Sequence, residues 1–117
     1  MPSAELLLQW EFSQAIADLI QYAAKIGFHV AVGEFFRTPE QAAWNAAHGS
    51  GIKNSDHCNK LAADINLFKP DGTYITDSTG HTALGKYWKE KGPLYRWGGD
   101  FARRDFNHYS ITFGGVA

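Results

Sequence analysis

His57, Asp64 and the late pair Asp105-x-x-His108 are the residues whose types and spacing could do chemistry. The stretch Ser55-Asp56-His57-Cys58-Asn59-Lys60-Leu61-Ala62-Ala63-Asp64 sets an imidazole and a carboxylate seven residues apart, and Asp105-Phe106-Asn107-His108 adds an acid and a second imidazole near the C-terminus. Two neutral histidines and one aspartate around a zinc ion leave a net positive site with a fourth position open to water. That is the ligand set of a hydrolytic zinc centre rather than a closed structural one. Asp105 is then a spare carboxylate beside it, available as an acid or base.

These residues need a scaffold, and 117 residues allow one domain around one core, spanning 1–117. A formal charge of -1 supplies no global field that would draw the chain onto nucleic acid or an anionic membrane. The local basic cluster of Lys86, Lys89, Lys91, Arg96, Arg103 and Arg104, set against Glu90 and Asp100, reads as a solvated helix face plus a loop. A single cysteine, Cys58, closes no intramolecular disulfide. Next to His57 it is a poor second ligand, because adjacent residues rarely both point at one ion. The start Met1-Pro2-Ser3-Ala4-Glu5 lacks a basic n-region, and Leu6-Leu7-Leu8 is too short to span or target. The expectation is a chain made in a cytoplasm without a signal peptide and without membrane insertion, working as a monomer.

Apolar residues at Phe12, Ala15, Ile16, Leu19, Ile20, Ala23, Ala24 and Ile26 recur at helical spacing, which predicts an amphipathic helix from about Trp10 to Ile26, stopped by Gly27. Phe28 to Phe36 is rich in β-branched and aromatic residues and reads as a strand that delivers Arg37 to its end. Thr38-Pro39 is an N-cap followed by proline at the first helical position, so a short helix should run from Pro39 to about Ala47. Gly49 to Ser55 is a loop by composition and leads into His57. Lys69-Pro70-Asp71-Gly72 is a turn, Thr73 to Ile75 a short pairing segment, and Thr82 to Lys91 a helix ended by Gly92-Pro93.

From Ala62 the period changes to two, with Ala63, Ile65 and Leu67 on one face and Asp64 and Asn66 on the other. The last segment alternates likewise, with His108, Ser110 and Thr112 opposite Tyr109, Ile111 and Phe113. If these two strands pair, their polar faces coincide and His108 can meet Asp64 over a metal. Asp105, three residues before His108, would face the wrong side of a regular strand, so it must sit in a loop or bulge that turns it back. His29, His48 and His81 lie at element boundaries and read as satisfied boundary groups.

Ser-x-His-x6-Asp, followed far downstream by Trp97-Gly98-Gly99-Asp100-Phe101 and Asp-x-x-His, resembles the zinc D,D-carboxypeptidase and L-alanyl-D-glutamate endopeptidase family. Its fold is shared with hedgehog signalling domains, and the likeness is strongest to its short phage endolysins. The resemblance runs from Phe36-Arg37-Thr38 to His108. It implies an α+β fold, a small mainly antiparallel sheet with helices on one side and a zinc cleft on the other. It also implies that His57, Asp64 and His108 hold Zn2+, that Asp105 is the catalytic acid/base, and that Arg37 contacts substrate or stabilises developing charge. Two positions depart from the family pattern. Lys60 stands where a glycine is usual, three residues after the first histidine, and Ser110 stands where many members carry glutamate.

Arg37 offers a rigid guanidinium fork suited to a carboxylate or an oxyanion, although a surface arginine at a strand end fits the bare sequence equally well. Trp97 reads either as an aromatic wall for a ligand or as a core residue beneath a turn, and Asp100 as a loop cap or substrate contact. The implied activity is hydrolysis of the peptidoglycan stem peptide, with L-alanyl-D-glutamate endopeptidase ahead of D-alanyl-D-alanine carboxypeptidase. The endolysin likeness implies action on the wall after release from the host cytoplasm, or as part of a virion. A catalytically silent wall-binding relative is the rival of another class.

Overall fold

Ser3 starts the first helix. Its hydroxyl accepts from the Leu6 backbone N–H at 3.1 Å and caps α1 (Ala4–Lys25), with Glu5 in the positive first turn and Lys25 in the negative last one. The helix therefore begins six residues before Trp10, where the apolar period starts. Leu6 and Leu7 are exposed, so the cap and a run of good helix formers, not burial, hold this first stretch. In this computed structural model, residues 2–49 and 56–114 are described; the expected loop over Gly49–Ser55 lies outside them from residue 50 on, as does the side chain of Asp56.

The other elements follow as β1 (His29–Val32), α2 (Pro39–Ala47), a 3-10 turn (Asp56–Asn59), β2 (Ala62–Phe68), α3 (His81–Lys89), β3 (Tyr95–Trp97), a second 3-10 turn (Gly98–Asp100) and β4 (His108–Ile111). The sheet has four strands in the order β1-β2-β4-β3, every neighbour antiparallel. β1 is shorter than the apolar run Phe28 to Phe36. Two more bonds, Gly33 N–H to Asp64 O at 2.7 Å and Asp64 N–H to Glu34 O at 2.9 Å, carry the pairing on before the chain leaves the sheet. Thr73 to Ile75 contributes a single bridge, Tyr74 to Phe68. β3 was not legible in sequence, because the four residues between Gly92-Pro93 and Gly98-Gly99 are too few to carry a period.

Phe12, Ala15, Ile16, Leu19 and Ala23 of α1 and Leu84 and Trp88 of α3 pack on one face of the sheet, against Ala63, Ile65, Leu67, Tyr109 and Ile111. Burial of apolar surface at about 25 cal/mol per Å² drives this layer. The Trp88 indole N–H is satisfied by the Ser110 carbonyl at 3.0 Å. Asp64, Asn66, His108 and Ser110 are left on the other face, as the two-residue alternation requires. Among the described residues no helix is long and apolar enough to cross a membrane.

Candidate metal centre

Three chain segments meet on that polar face. Asp64 on β2 and His108 on β4 are direct register partners, and the 3-10 turn before β2 brings His57 over them. His57 Nε2 lies 3.3 Å and His108 Nδ1 3.9 Å from Asp64 Oδ1. One ligand atom from each of the three residues falls within 4.8 Å of the others, and both histidines are buried.

The donors fit a cation. His57 Nδ1 stands 3.0 Å from the Phe35 carbonyl, which can only accept, so the ring donates there and its Nε2 lone pair faces Asp64. Asp64 Oδ1 and His108 Nε2 are buried with no hydrogen-bond partner among the described residues. Leaving such atoms unmatched is costly, and a positive ion held at Asp64 Oδ1 would relieve the cost there.

The electrostatics follow from the same contacts. Burial lowers the pKa of His57, but the adjoining Asp64 carboxylate and the Phe35 carbonyl outweigh it and leave the pKa raised, as expected of a ring aimed at a negative charge. Burial, then the charge of His57, pulls His108 down to about 4, so this imidazole is neutral at pH 7 as a metal ligand must be. Two histidines and a carboxylate form a nitrogen–oxygen set suited to zinc.

Asp105 is in a loop, as its spacing from His108 demanded. Its N–H donates to Gly98 O at 2.9 Å and its carbonyl accepts from His108 N–H at 3.1 Å, which turns the residue back toward the site. Gly98 makes this possible, since a Cβ there would run into the Asp105 carbonyl and lie 2.8 Å from His108 Cβ. The Asp105 residue is open to solvent, yet crowding of its carboxyl and then the charge of Asp64 raise its pKa, while His57 and Arg37 oppose the rise. Asp105 thus shares one electrostatic neighbourhood with Asp64, His57 and Arg37.

Arg37 is not a loose surface arginine. Its N–H donates to His57 O at 3.0 Å, its side chain is 14% exposed, and its guanidinium is ion-paired to Glu34. Glu34 escaped sequence reasoning. An acid three residues before Arg37 has no periodic meaning in a strand-like segment, and only the departure of the chain from β1 brings the two together.

Trp97 lies in the core, and its indole N–H donates to Phe106 O at 2.8 Å, bracing the Asp105 loop from within. Its border with solvent is a groove shared with Lys89, Arg96, Asp100 and Phe101. Asp100 pairs with Lys89 at 2.8 Å, and the Phe101 ring lies 5.3 Å from that of His108. Lys60 takes φ 59°, a backbone that glycine adopts without penalty, so the turn after His57 is glycine-like despite its lysine. Ser110 is fully buried on the His108 side, its hydroxyl unpartnered among the described residues.

His81 is a satisfied boundary group as expected, though a buried one. It opens α3, is 2% exposed, and shares a hydrogen bond with the Tyr109 hydroxyl at 2.8 Å. His29 is exposed on β1, and exposed His48 caps α2 with its ring 2.7 Å from Trp44 O.

The family model for D-alanyl-D-alanine carboxypeptidase matches residues 48–111, more than half of the chain and all three of the clustered side chains. The chain belongs to this peptidase family. Among solved structures, the L-Ala D-Glu endopeptidase ChiX of Serratia marcescens is similar, with a TM-score of 0.62 and 22% identity, covering 81% of this chain and 76% of that one. At that identity the likeness is one of fold. No curated protein matches the chain. Enzymes of the family are metal-dependent, and the His57–Asp64–His108 cluster is where this member could hold its ion.

Proposed function

We propose that this chain is a single-domain, zinc-dependent peptidoglycan peptidase that hydrolyses the stem peptide, with the L-alanyl-D-glutamate bond as its target. The observation that carries the reading is the cluster of His57, Asp64 and His108, with Asp64 Oδ1 buried and unmatched among the described residues, beside a carboxylate not needed as a ligand. The fold likeness to an L-Ala D-Glu endopeptidase favours that bond. The family description favours D-alanyl-D-alanine carboxypeptidase, which is the second reading. The resemblance to phage endolysins makes the cell wall the place of action.

His57, Asp64 and His108 would hold the zinc ion. Bound there, it would lower the pKa of water toward ~7 and polarise the scissile carbonyl. Asp105 accepts the proton of the attacking water and returns it to the leaving amine. Its raised pKa brings the carboxyl closer to the pH at which it must both take and give a proton. Arg37 presents its fork to a substrate carboxylate or to the negative charge that develops on the carbonyl oxygen. The groove bordered by Trp97, Asp100 and Phe101 beside His108 would take the neighbouring residues of the peptide. A silent wall-binding relative would have no use for Asp105 at this place.

Purified peptidoglycan incubated with the protein, with and without chelator, tests the proposal through the termini released, identified by mass spectrometry. New N-terminal D-glutamate supports the endopeptidase, and free D-alanine supports the carboxypeptidase. Wall that is bound but uncut leaves only the binding module.

A further inference from the structure

The carboxylate of Glu34 stands behind two site residues at once. Its Oε1 accepts from Arg37 Nε at 2.8 Å and pairs with the Arg37 terminal nitrogen, and the same oxygen lies 3.6 Å from His57 Nδ1. The backbone of the same residue accepts from Asp64 N–H at 2.9 Å, while Gly33 N–H donates to Asp64 O at 2.7 Å. A Cβ on Gly33 would come 3.1 Å from Asp64 Cβ, so glycine at this place lets the chain run close against the strand that carries Asp64.

An exposed ion pair contributes little to stability. Glu34 and Arg37 are partly enclosed, with side chains 35% and 14% exposed. Their pairing also has a geometric consequence. A guanidinium held at Nε and at one terminal nitrogen is fixed in plane, with its remaining donors aimed by the carboxylate. Negative charge on the Nδ1 side of His57 reinforces the tautomer already set by the Phe35 carbonyl and raises the basicity of Nε2, the nitrogen that faces Asp64.

We infer that Glu34 is a positioning residue of this site, aiming the Arg37 fork and bracing His57 as a ligand through one carboxylate oxygen. The inference rests on the metal-peptidase reading above, and it adds a residue that touches neither the ion nor the substrate.

Zinc affinity, measured on the full chain by competition with a chromogenic chelator, requires no knowledge of the bond cut. Glu34→Gln is expected to weaken zinc binding about tenfold or more. Glu34→Asp keeps the charge but shortens the reach, so it should also fall below wild type if position matters. At saturating zinc, Glu34→Gln should lower kcat/KM for a stem peptide in the wild-type background and add little in an Arg37→Gln background, because the carboxylate acts through that arginine. Wild-type zinc affinity in either Glu34 variant, or losses in kcat/KM that simply add, overturns the proposal. Should the wild-type protein cut no stem peptide, the activity reading has failed, and the zinc competition still decides the role of Glu34.

Discussion

Asp64 and His108 face each other as register partners on β2 and β4, so the sheet itself, and not a loop, fixes the distance between a carboxylate and an imidazole. Sites on strands are held more tightly than sites on loops. The third donor, His57, is pinned separately, through Nδ1 to the Phe35 carbonyl.

Because Asp64 Oδ1 is buried without a hydrogen-bond partner among the described residues, metal should stabilise the fold directly. Zinc free at about 100 times its dissociation constant adds about 2.7 kcal/mol, a rise in melting temperature of roughly 10 °C for a domain of this size. Thermal denaturation with zinc and with chelator should show this shift in the wild type. It should be absent in His108→Ala, and an equal shift in that variant would place the ion elsewhere.

Asp105→Asn keeps the shape of the side chain and removes its basicity. Turnover should drop by about 100- to 10,000-fold, the usual contribution of a general acid/base, while zinc affinity stays near wild type. Near-normal turnover with zinc bound would remove Asp105 from the chemistry.

Gly98→Ala is a sharper test of the loop than of the acid. The new methyl would meet the Asp105 carbonyl and His108 Cβ, and backbone cannot step aside as a flexible side chain would. Stability should fall by about 1–3 kcal/mol, as overpacking usually costs. A displacement of Asp105 by about 1 Å would reduce turnover on the order of 100-fold. Denaturant unfolding and steady-state kinetics on the same preparation would check both; an unperturbed variant would mean that the loop is not held where it now lies.

The parts of this site that were legible in sequence are those governed by period. The alternation in Ala62–Leu67 and in His108–Ile111 placed Asp64 and His108 on one face, and the three-residue gap from Asp105 to His108 forced the acid into a loop. The Thr38-Pro39 cap gave α2 its bounds. What could not be read depends on chain paths rather than on period. Glu34 meets Arg37 only because the chain leaves β1 there, the Trp97 N–H is matched by the Phe106 carbonyl nine residues on, and His81 is buried against the strand that carries Tyr109.

His81 also gives the fold a dependence on pH that is separate from the metal. Burial draws its pKa down to about 4 from the ordinary 6.5, with the charge of Asp77 opposing, and the ring is hydrogen-bonded to the Tyr109 hydroxyl. Above pH 6.5 the ring is neutral in both folded and unfolded chains, and the full stability is present. As pH falls from 6.5 toward 4 the unfolded chain takes up a proton that the folded one refuses, so stability declines, by about 3 kcal/mol at most for the whole shift. His108 titrates over a similar window, so the wild-type curve alone does not isolate His81. In chelator-treated protein, His81→Asn offers the Tyr109 hydroxyl an amide able to donate or accept, and it cannot take up the proton. Its denaturant-derived stability should therefore fall less steeply between pH 6.5 and 4 than that of wild type. Parallel curves would show that His81 keeps its proton equilibrium on folding, and the pH dependence would then belong to other groups.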